Sequence, residues 1–425
     1  MQKRKKHAGF IIVLSIIAVL IITAVGAAGI YSRFGGFGTG DCADTGEFSK
    51  YATSVSELTV PDEAQIVALG EATHGNKEFQ QLRLDVFQVL AEQYGVRAFA
   101  LEGDFGGCEA INRYIHGADG TAAEALAATG FAIYRTEEME NLVEWMRDYN
   151  ASAAQGDDLR FYGFDMEQRA YTYCYLLEAV HKANIEAAEF EKMWNSEADT
   201  YADGYTTEQR TEIISAVKEQ LPPDDVQAIH FADILLQNIE LGKYIDDSGE
   251  LNTQRDRMMA ENTLWILQQE QARGNSRIMI SGHNNHIMQC ENAGTPVLGS
   301  LLAENLGDGY FTIGTDFYKS VCDLPKPYTG KRITHTFYSY DPLAKASKKC
   351  GFDVSFLDFS KVPEDSILTE HLANSISMGS LGESYSVLMN FVPRSYRVRR
   401  IPQDAYDAMI FAANATPIEI ESLNK

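Results

Sequence analysis

The sequence predicts an α/β fold that contains a helical insertion and is preceded by one transmembrane helix. Three features of the 425 residues indicate this. From Ala64 onward, short apolar runs alternate with longer amphipathic stretches, as in an α/β layer fold. A charged, Glu-rich stretch of helical period covers about 168–274, and an uncharged apolar run lies close to the N-terminus.

The N-terminus combines a basic cluster with an apolar run. Lys3, Arg4, Lys5 and Lys6 precede a run from Ala8 to Ser32 that carries no charge. A helix needs about 20 apolar residues to cross a bilayer, whereas a signal peptide has an apolar core of roughly 7–15. We therefore expect a cytoplasmic tail at 1–8 and an uncleaved anchor at 9–31, with the rest of the chain outside the cytoplasm. A cleaved signal peptide and a secreted domain are the alternative.

The remaining chain is expected to form a flexible linker at 32–50, rich in Gly and Ser, and one domain at 51–425. A helix at Asn76–Tyr94 connects the first two strands, which predicts a parallel βαβ unit. The Pro222-Pro223 pair breaks the all-helical block at 168–274. The predicted strands are Gln65–Leu69, Arg97–Leu101, Leu159–Phe164, Arg277–Ser281, Tyr310–Thr315 and Ser386–Val392.

Composition and missing motifs exclude several classes of protein. A formal charge of −24 repels polyanions, so nucleic acid is not an expected partner. The six cysteines form no CxxC or CxxH pair, which argues against a structural zinc site, and no disulfide can be assigned. No GxSxG elbow, HExxH helix, GxxxxGK[ST] loop or GxGxxG stretch occurs. We therefore expect chemistry that uses water rather than a side-chain nucleophile.

Acidic and histidine residues follow several of the predicted strands. Glu71 and His74 follow the first strand, Glu102 the second, and His283 and His286 a late one. Because ligands of open α/β sheets bind at the carboxyl ends of the strands, these five side chains are predicted to share one catalytic site. Structural alternatives remain: Glu71 could cap a helix, and Glu102 could form a salt bridge with Arg83.

Further candidates flank these five. Arg83 lies on the helix after His74, and its guanidinium is suited to hold a carboxylate or an oxyanion, so we add it to the catalytic set. Asp165, Arg257 and Asn284 are predicted to bind substrate. Arg257 and Glu261 are spaced i, i+4, so a surface ion pair is the alternative for that arginine.

Two kinds of chemistry fit these residue types. A histidine oriented by a glutamate can take a proton from water, while a second histidine or an arginine stabilises the oxyanion. No cofactor is required by this mechanism. Two glutamates and three histidines also suit a divalent metal ion, so a metal-dependent hydrolase or peptidase is the alternative. A non-catalytic surface binding protein is a third hypothesis, because fold alone does not guarantee activity.

Several strings together resemble one known family, over roughly residues 50–420. They are GEATHGNKEFQQLRLDVF, FALEGDF, GFDM, RDRMMAEN, GHNNHI and the C-terminal YDAMIFAANATPIEIESL. They look like the erythromycin esterase family, which also includes proteins named for succinoglycan biosynthesis. The resemblance implies a three-layer mixed sheet between helices, with a helical segment that shapes the cleft.

The resemblance also implies roles for individual residues. The essential base of the family would be His74, with Glu71 beside it, and the further active-site acid would be Glu102. The family's arginine and later histidines would be Arg83, His283 and His286.

In characterised relatives, water opens a macrolide lactone without a covalent enzyme intermediate, which contributes to the response to antibiotics. The N-terminal anchor departs from the cytoplasmic members of the family. An extracellular or cell-envelope ester is therefore as good a candidate substrate as a macrolide.

Overall fold

The computed structural model describes residues 2–34, 41–390, 392 and 395–421. Its helices are α1 Gln2–Phe34, α2 Thr45–Tyr51, α3 Lys77–Tyr94, α4 Phe105–Ile115, α5 Ala122–Ala127, α6 Glu137–Ser152, α7 Ala170–Lys182, α8 Ala188–Lys192, α9 Thr207–Lys218, α10 Val226–Leu241, α11 Ser248–Ala272, α12 Asn284–Ile287, α13 Leu298–Leu306, α14 Pro342–Cys350, α15 Thr369–Ala373 and α16 Pro402–Ala405. Its strands are β1 Ala52–Thr53, β2 Ile66–Glu71, β3 Ala98–Asp104, β4 Arg160–Asp165, β5 Trp194–Asn195, β6 Thr200–Tyr201, β7 Ile278–His283, β8 Tyr310–Pro325, β9 Arg332–Tyr338, β10 Val354–Asp358, β11 Ile376–Gly379, β12 Arg397–Arg400 and β13 Ala408–Ala415.

One mixed sheet organises the domain. Its strands run in the order β1-β10-β13-β8-β2-β7-β3-β4, and β9 pairs with β8. The neighbours from β13 to β4 are parallel, whereas β1, β10 and β9 pair in the antiparallel direction. The predicted mixed sheet between helices is confirmed.

The sheet separates two apolar cores. Successive side chains of a strand point to opposite faces, so a strand covered on both sides is apolar throughout. In β2, Ile66 and Ala68 pack into one core, and Val67 and Leu69 pack into the other. All four are buried, and full burial of each large aliphatic side chain contributes roughly 1.5–3 kcal/mol. Because both faces of β2 are buried, its sequence is a continuous apolar run.

The order of the central strands differs from the prediction. The first two predicted strands, β2 and β3, are parallel, but they are not neighbours, because β7 lies between them. Helix α3 therefore makes a crossover that leaves a gap for a strand more than 170 residues later in the chain. Here the residue patterns located both strands but did not specify which strands pair.

One predicted boundary and one predicted strand are wrong. Helix α2 lies inside the expected linker, and its Phe48 is fully buried, so the folded domain begins before residue 51. Part of that linker, 35–40, lies outside the described residues. The predicted strand Ser386–Val392 contains a 3-10 helix at Val387–Asn390 with Val387 and Leu388 exposed, and Phe391 lies outside the described residues. Apolar composition without alternation did not distinguish this turn from a strand.

The helical block forms largely as expected. Helices α7 to α11 fill it, and α9 ends before the Pro222-Pro223 pair while α10 begins after it. The short hairpin of β5 and β6 is an exception to its all-helical character. At the N-terminus, α1 contains an apolar span, Ile12–Gly29, that is long enough to cross a bilayer and is not buried against the domain. A membrane anchor and a signal peptide are both compatible with this span.

Candidate active site

The carboxyl ends of four parallel strands deliver the predicted polar residues to one edge of the sheet. Strand β2 ends at Glu71 and its neighbour β7 ends at His283, and these two residues are paired in the sheet register. Strand β3 carries Glu102 near its end, and β4 ends at Asp165. Because β7 lies between β2 and β3, the histidine falls between the two glutamates.

The first cluster is formed by Glu71, His74 and Arg83. One carboxylate oxygen of Glu71, Oε1, lies 2.6 Å from His74 Nδ1 and 2.9 Å from Arg83 Nη2. Arg83 is fully buried, and its Nε donates a hydrogen bond to Ser281 Oγ at 3.1 Å. The arginine therefore holds the glutamate, and the glutamate fixes the histidine ring through Nδ1.

This arrangement shifts two pKa values in opposite directions. Burial alone would raise the pKa of Glu71, but the nearby charges of Arg83 and His74 outweigh it and hold the pKa below its usual range. Burial alone would lower the pKa of His74, but Glu71, with a further contribution from Glu102, raises it above 6.5. The pair therefore favours a carboxylate beside an imidazole that readily accepts a proton.

His283 lies beside His74 but in a different environment. The two ring centroids are 5.1 Å apart. Nδ1 of His283 accepts a hydrogen bond from the Asn285 backbone N–H at 3.2 Å, and Nε2 lies 3.3 Å from the Leu381 carbonyl oxygen, to which it can donate. Burial and the neighbouring His74 lower the pKa of His283 to about 3. This ring is neutral at pH 7, and the main chain occupies both of its nitrogens.

The second cluster is built around Glu102. Its Oε2 accepts a hydrogen bond from the His283 backbone N–H at 2.7 Å, and its Oε1 lies 3.2 Å from Arg255 Nη2. The same arginine nitrogen lies 2.5 Å from Asp165 Oδ2. Burial alone would raise the pKa of Glu102, but His286 and Arg255 outweigh it and hold the pKa well below its usual range. Glu102 is thus an ionised carboxylate at neutral pH.

His286 completes the second cluster from the short helix α12. Its Nδ1 lies 2.7 Å from Asp256 Oδ1, and its Nε2 lies 3.6 Å from Glu102 Oε1. Burial alone would lower the pKa of His286, but Glu102 and Asp256 raise it above 6.5. A carboxylate on each side therefore favours the imidazolium form of this ring.

Comparison with known proteins identifies the family of this chain. The family model described as erythromycin esterase matches residues 91–415, which is most of the chain. The chain belongs to the erythromycin esterase family. The match includes Glu102, His283 and His286, whereas the segment with Glu71 and His74 precedes the matched range.

Individual relatives agree with the family. Erythromycin esterase type II of Escherichia coli is 26% identical, over 71% of this chain and 82% of its own. A crystal structure of a succinoglycan biosynthesis protein superposes with a TM-score of 0.73 at 20% identity, covering 89% of this chain and 98% of that one. A mutant of erythromycin esterase EreC in its open conformation gives a TM-score of 0.54 at 16% identity, covering 85% and 93%. The two solved structures support the fold.

In this esterase family member, the side chains of two predicted substrate-binding residues have partners outside the clusters. Arg257 is exposed and lies 2.6 Å from Glu261, so it forms the surface ion pair. Asn284 is buried and exchanges hydrogen bonds with the backbone of Thr315, donating at 2.7 Å and accepting at 3.1 Å. It thereby ties β7 to β8. Arg257 thus has the surface ion pair that was its alternative, and Asn284 has a structural partner.

The structure adds Arg255 and Asp256, which the sequence did not single out as site residues. Successive positions of an α-helix are 100° apart, so Arg255 and Arg257 lie on nearly opposite faces of α11. The alternative salt bridge between Glu102 and Arg83 is also wrong, since Arg83 binds Glu71 and Arg255 binds Glu102. The helical period of α11 shows that Arg255 and Arg257 lie on different faces. It does not show which of the two faces meets the sheet.

Metal binding was the alternative use of these side chains. Within the described ranges, no three or more His, Cys, Asp or Glu side chains are grouped so that they could hold a metal ion. The acids instead lie next to cationic partners, Glu71 next to Arg83 and Glu102 next to Arg255. The geometry is that of two carboxylate–imidazole pairs with His283 between them.

Proposed function

We propose that this protein hydrolyses a carboxylic ester or macrolide-type lactone by direct attack of water, with His74 as the general base. The observation that carries the proposal is the His74–Glu71 contact of 2.6 Å through Nδ1. Because Glu71 engages Nδ1, Nε2 is the nitrogen that remains for a water molecule. The side chain of His74 is 13% exposed, so the buried pair still reaches solvent.

The reaction follows from the two clusters. His74 takes a proton from water as the water oxygen bonds to the acyl carbon, and a negative charge develops on the acyl oxygen. His286, held as an imidazolium by Glu102 and Asp256, is the donor that stabilises this oxyanion. The carbon–oxygen ester bond then breaks, and the departing alkoxide takes the proton from His74. No covalent intermediate with the enzyme forms.

Supporting residues keep these two histidines in position. Arg83 holds Glu71 through Oε1, and Glu71 Oε2 is buried with no hydrogen-bond partner among the described residues. Arg255 joins Glu102 to Asp165 and fixes the second cluster. We assign Arg83 and Arg255 to positioning, and Asp165 to positioning through Arg255 rather than to direct substrate contact.

The substrate class rests on the relatives and on the N-terminal helix. A relative named erythromycin esterase supports a macrolide lactone and a contribution to the response to antibiotics. The basic residues at the start of α1 favour a cell-membrane anchor at 9–31 with the catalytic domain, whose fold begins near residue 41, outside the cytoplasm. In that location an extracellular or cell-envelope ester is an equally suitable small-molecule substrate. A cleaved N-terminal segment would release the same domain.

A substrate screen tests the proposal. The full chain in detergent is incubated with macrolides and acyl esters, and substrate loss and products are measured by mass. We expect hydrolysis that His74→Asn slows by about 10²–10⁴-fold, while the matched variant of an exposed histidine, His181→Asn, retains the wild-type rate. Intact-protein mass during turnover should reveal no acyl adduct.

Two controls address the alternatives. A rate in His74→Asn within about tenfold of wild type contradicts the assignment of the base. Activity lost on chelation and restored by a divalent ion favours the metal-dependent hydrolase, and binding of esters without any turnover favours the surface binding protein.

A further inference from the structure

A cavity lies in the helical block, and no histidine of the two clusters lines it. Its volume is about 460 Å³, and helix α10, hairpin strand β6 and the first residues of α9 contribute to its wall. Arg169, Arg210 and Lys243 face it against a single acid, Glu167. Lys243 is ion-paired with Glu240, so the positive lining rests on the two arginines, in a chain whose formal charge is −24.

The inner wall of this cavity holds unsatisfied donors. Tyr201 is only 9% exposed, and its hydroxyl is buried with no hydrogen-bond partner among the described residues. The guanidinium carbons of Arg169 and Arg210 lie 5.7 Å and 4.9 Å from the centroid of the same ring. The Nε atoms of both arginines are also buried without a partner. Leaving a buried donor unpaired is unfavourable, so three together indicate a ligand.

We propose that this cavity binds an oxyanion, namely a carboxylate, phosphate or sulfate group. Two guanidinium groups provide forked donors suited to such a group, and the Tyr201 hydroxyl adds a neutral donor. Burial raises the pKa of Tyr201, so its hydroxyl keeps its proton. Thr200 Oγ1 accepts a hydrogen bond from Arg169 Nη2 at 2.6 Å, which fixes that arginine at the edge of the cavity.

The cavity is connected to the proposed active site by Glu167. Its carboxylate faces the cavity and lies 3.5 Å from Arg255 Nη2, the group that holds Glu102 and Asp165. Asn238, another lining residue, donates hydrogen bonds to the carbonyl oxygens of Met166 at 2.8 Å and Glu167 at 3.1 Å, which fixes the connecting segment. Because Glu167 borders both places, we extend the proposal to an ester whose remote end carries the negative charge that this cavity binds. This extension rests on the proposed esterase function, whereas anion binding itself does not.

Calorimetric titration of the full chain in detergent with phosphate, sulfate and succinate tests the site without requiring turnover. We expect saturable binding of at least one anion that is about tenfold weaker in Arg210→Gln, because a charge-assisted hydrogen bond is lost. Tyr201→Phe should weaken binding less while keeping the ring against which both arginines pack. Lys192→Gln removes one positive charge from the same block at an exposed position and should bind like wild type.

Folding of each variant is checked by thermal unfolding, and Arg210→Lys, which keeps the charge but not the fork, should retain intermediate affinity. Absence of saturable binding by wild type, or equal binding by wild type and Arg210→Gln, overturns the proposal. A kinetic experiment identifies the source of the anion. If KM rises in Arg210→Gln for an anionic ester and not for a matched neutral ester, the substrate carries the oxyanion. If KM is unchanged for both esters while wild type still binds the anion, the anion is a separate ligand.

Discussion

His74 and His283 lie with their rings 5.1 Å apart, yet their surroundings shift their pKa values in opposite directions. His74 has a carboxylate on Nδ1, and its pKa is raised. His283 has main-chain partners at both nitrogens, and its pKa falls to about 3. Two neighbouring, largely buried rings therefore have opposite charge preferences, because the charge of the hydrogen-bond partner decides which form is stabilised.

The comparison shows that proximity does not make two histidines equivalent. His74 is tuned to accept a proton, whereas His283 is a neutral ring that connects β7 to the loop at Leu381. Glu102 uses the backbone N–H of His283 rather than its ring. We therefore expect substitutions on the His74 side to change catalysis and substitutions at the His283 ring to change mainly stability.

Replacing the proposed base should have the largest effect. His74→Asn removes the imidazole, and we expect kcat to fall by about 10²–10⁴-fold because general base catalysis contributes that much. Steady-state kinetics with an ester identified in the screen provides the measurement. A decrease of the same size in both His74→Asn and His283→Gln would erase the distinction between the two rings.

The next largest effect is expected on stability, from the arginine behind the His74 pair. Arg83→Met leaves Glu71 as a buried carboxylate without its cation, and breaking a buried pair costs about 3–5 kcal/mol. Denaturant unfolding of the full chain in detergent measures this loss. The matched variant Arg257→Met, at an exposed position, should change the free energy of unfolding by less than about 1 kcal/mol. Similar values for both variants would show that the buried pair contributes little.

Glu71→Gln should move the pH profile of the reaction. The unprotonated form of His74 is the base, so kcat should rise with pH through a pKa above 6.5. Removing the carboxylate removes the interaction that favours the imidazolium, so the pKa of His74 falls and the acidic limb shifts to lower pH. We expect about a tenfold decrease in maximal kcat as the ring loses its orientation. An acidic limb that stays at the wild-type pH would assign that titration to another group.

Asp256→Asn should have a smaller effect on kcat, and it should change the alkaline limb of the pH profile. Asp256 favours the imidazolium form of His286, so its loss lowers the pKa of this ring and moves the alkaline decrease of kcat to lower pH. Below that limb we expect kcat within about tenfold of wild type, since Glu102 still favours the charged ring. If only the acidic limb moves, His286 is not the oxyanion donor.

The sequence predicted the site residues that depend on strand ends and missed those that depend on how elements pack. Parallel strands deliver their carboxyl ends to one edge, so Glu71, Glu102, Asp165 and His283 could be grouped without coordinates. The position of β7 between β2 and β3 could not, because pairing order is a long-range property.

The choice between two arginines illustrates why residues that depend on packing were missed. Arg255 and Arg257 belong to the same RDR string, but the face of α11 that meets β4 is set by tertiary packing. The mixed sheet was predicted correctly, and the wrong boundaries at α2 and at 386–392 fall in short segments where periodicity carries little information.

The smallest catalytic effect is expected for the His283 ring. Its Nδ1 accepts from the Asn285 N–H, and its Nε2 donates to the Leu381 carbonyl, so His283→Gln should lose about 0.5–1.5 kcal/mol per hydrogen bond that the amide fails to restore. Because Glu102 binds the backbone N–H, the second cluster should persist, and both limbs of the pH profile should stay at the wild-type pH. Thermal unfolding and pH-dependent kinetics on the same preparation separate the two effects. A shifted limb with unchanged stability would mean that this ring takes part in proton transfer, and the contrast between the two neighbouring histidines would then have to be abandoned.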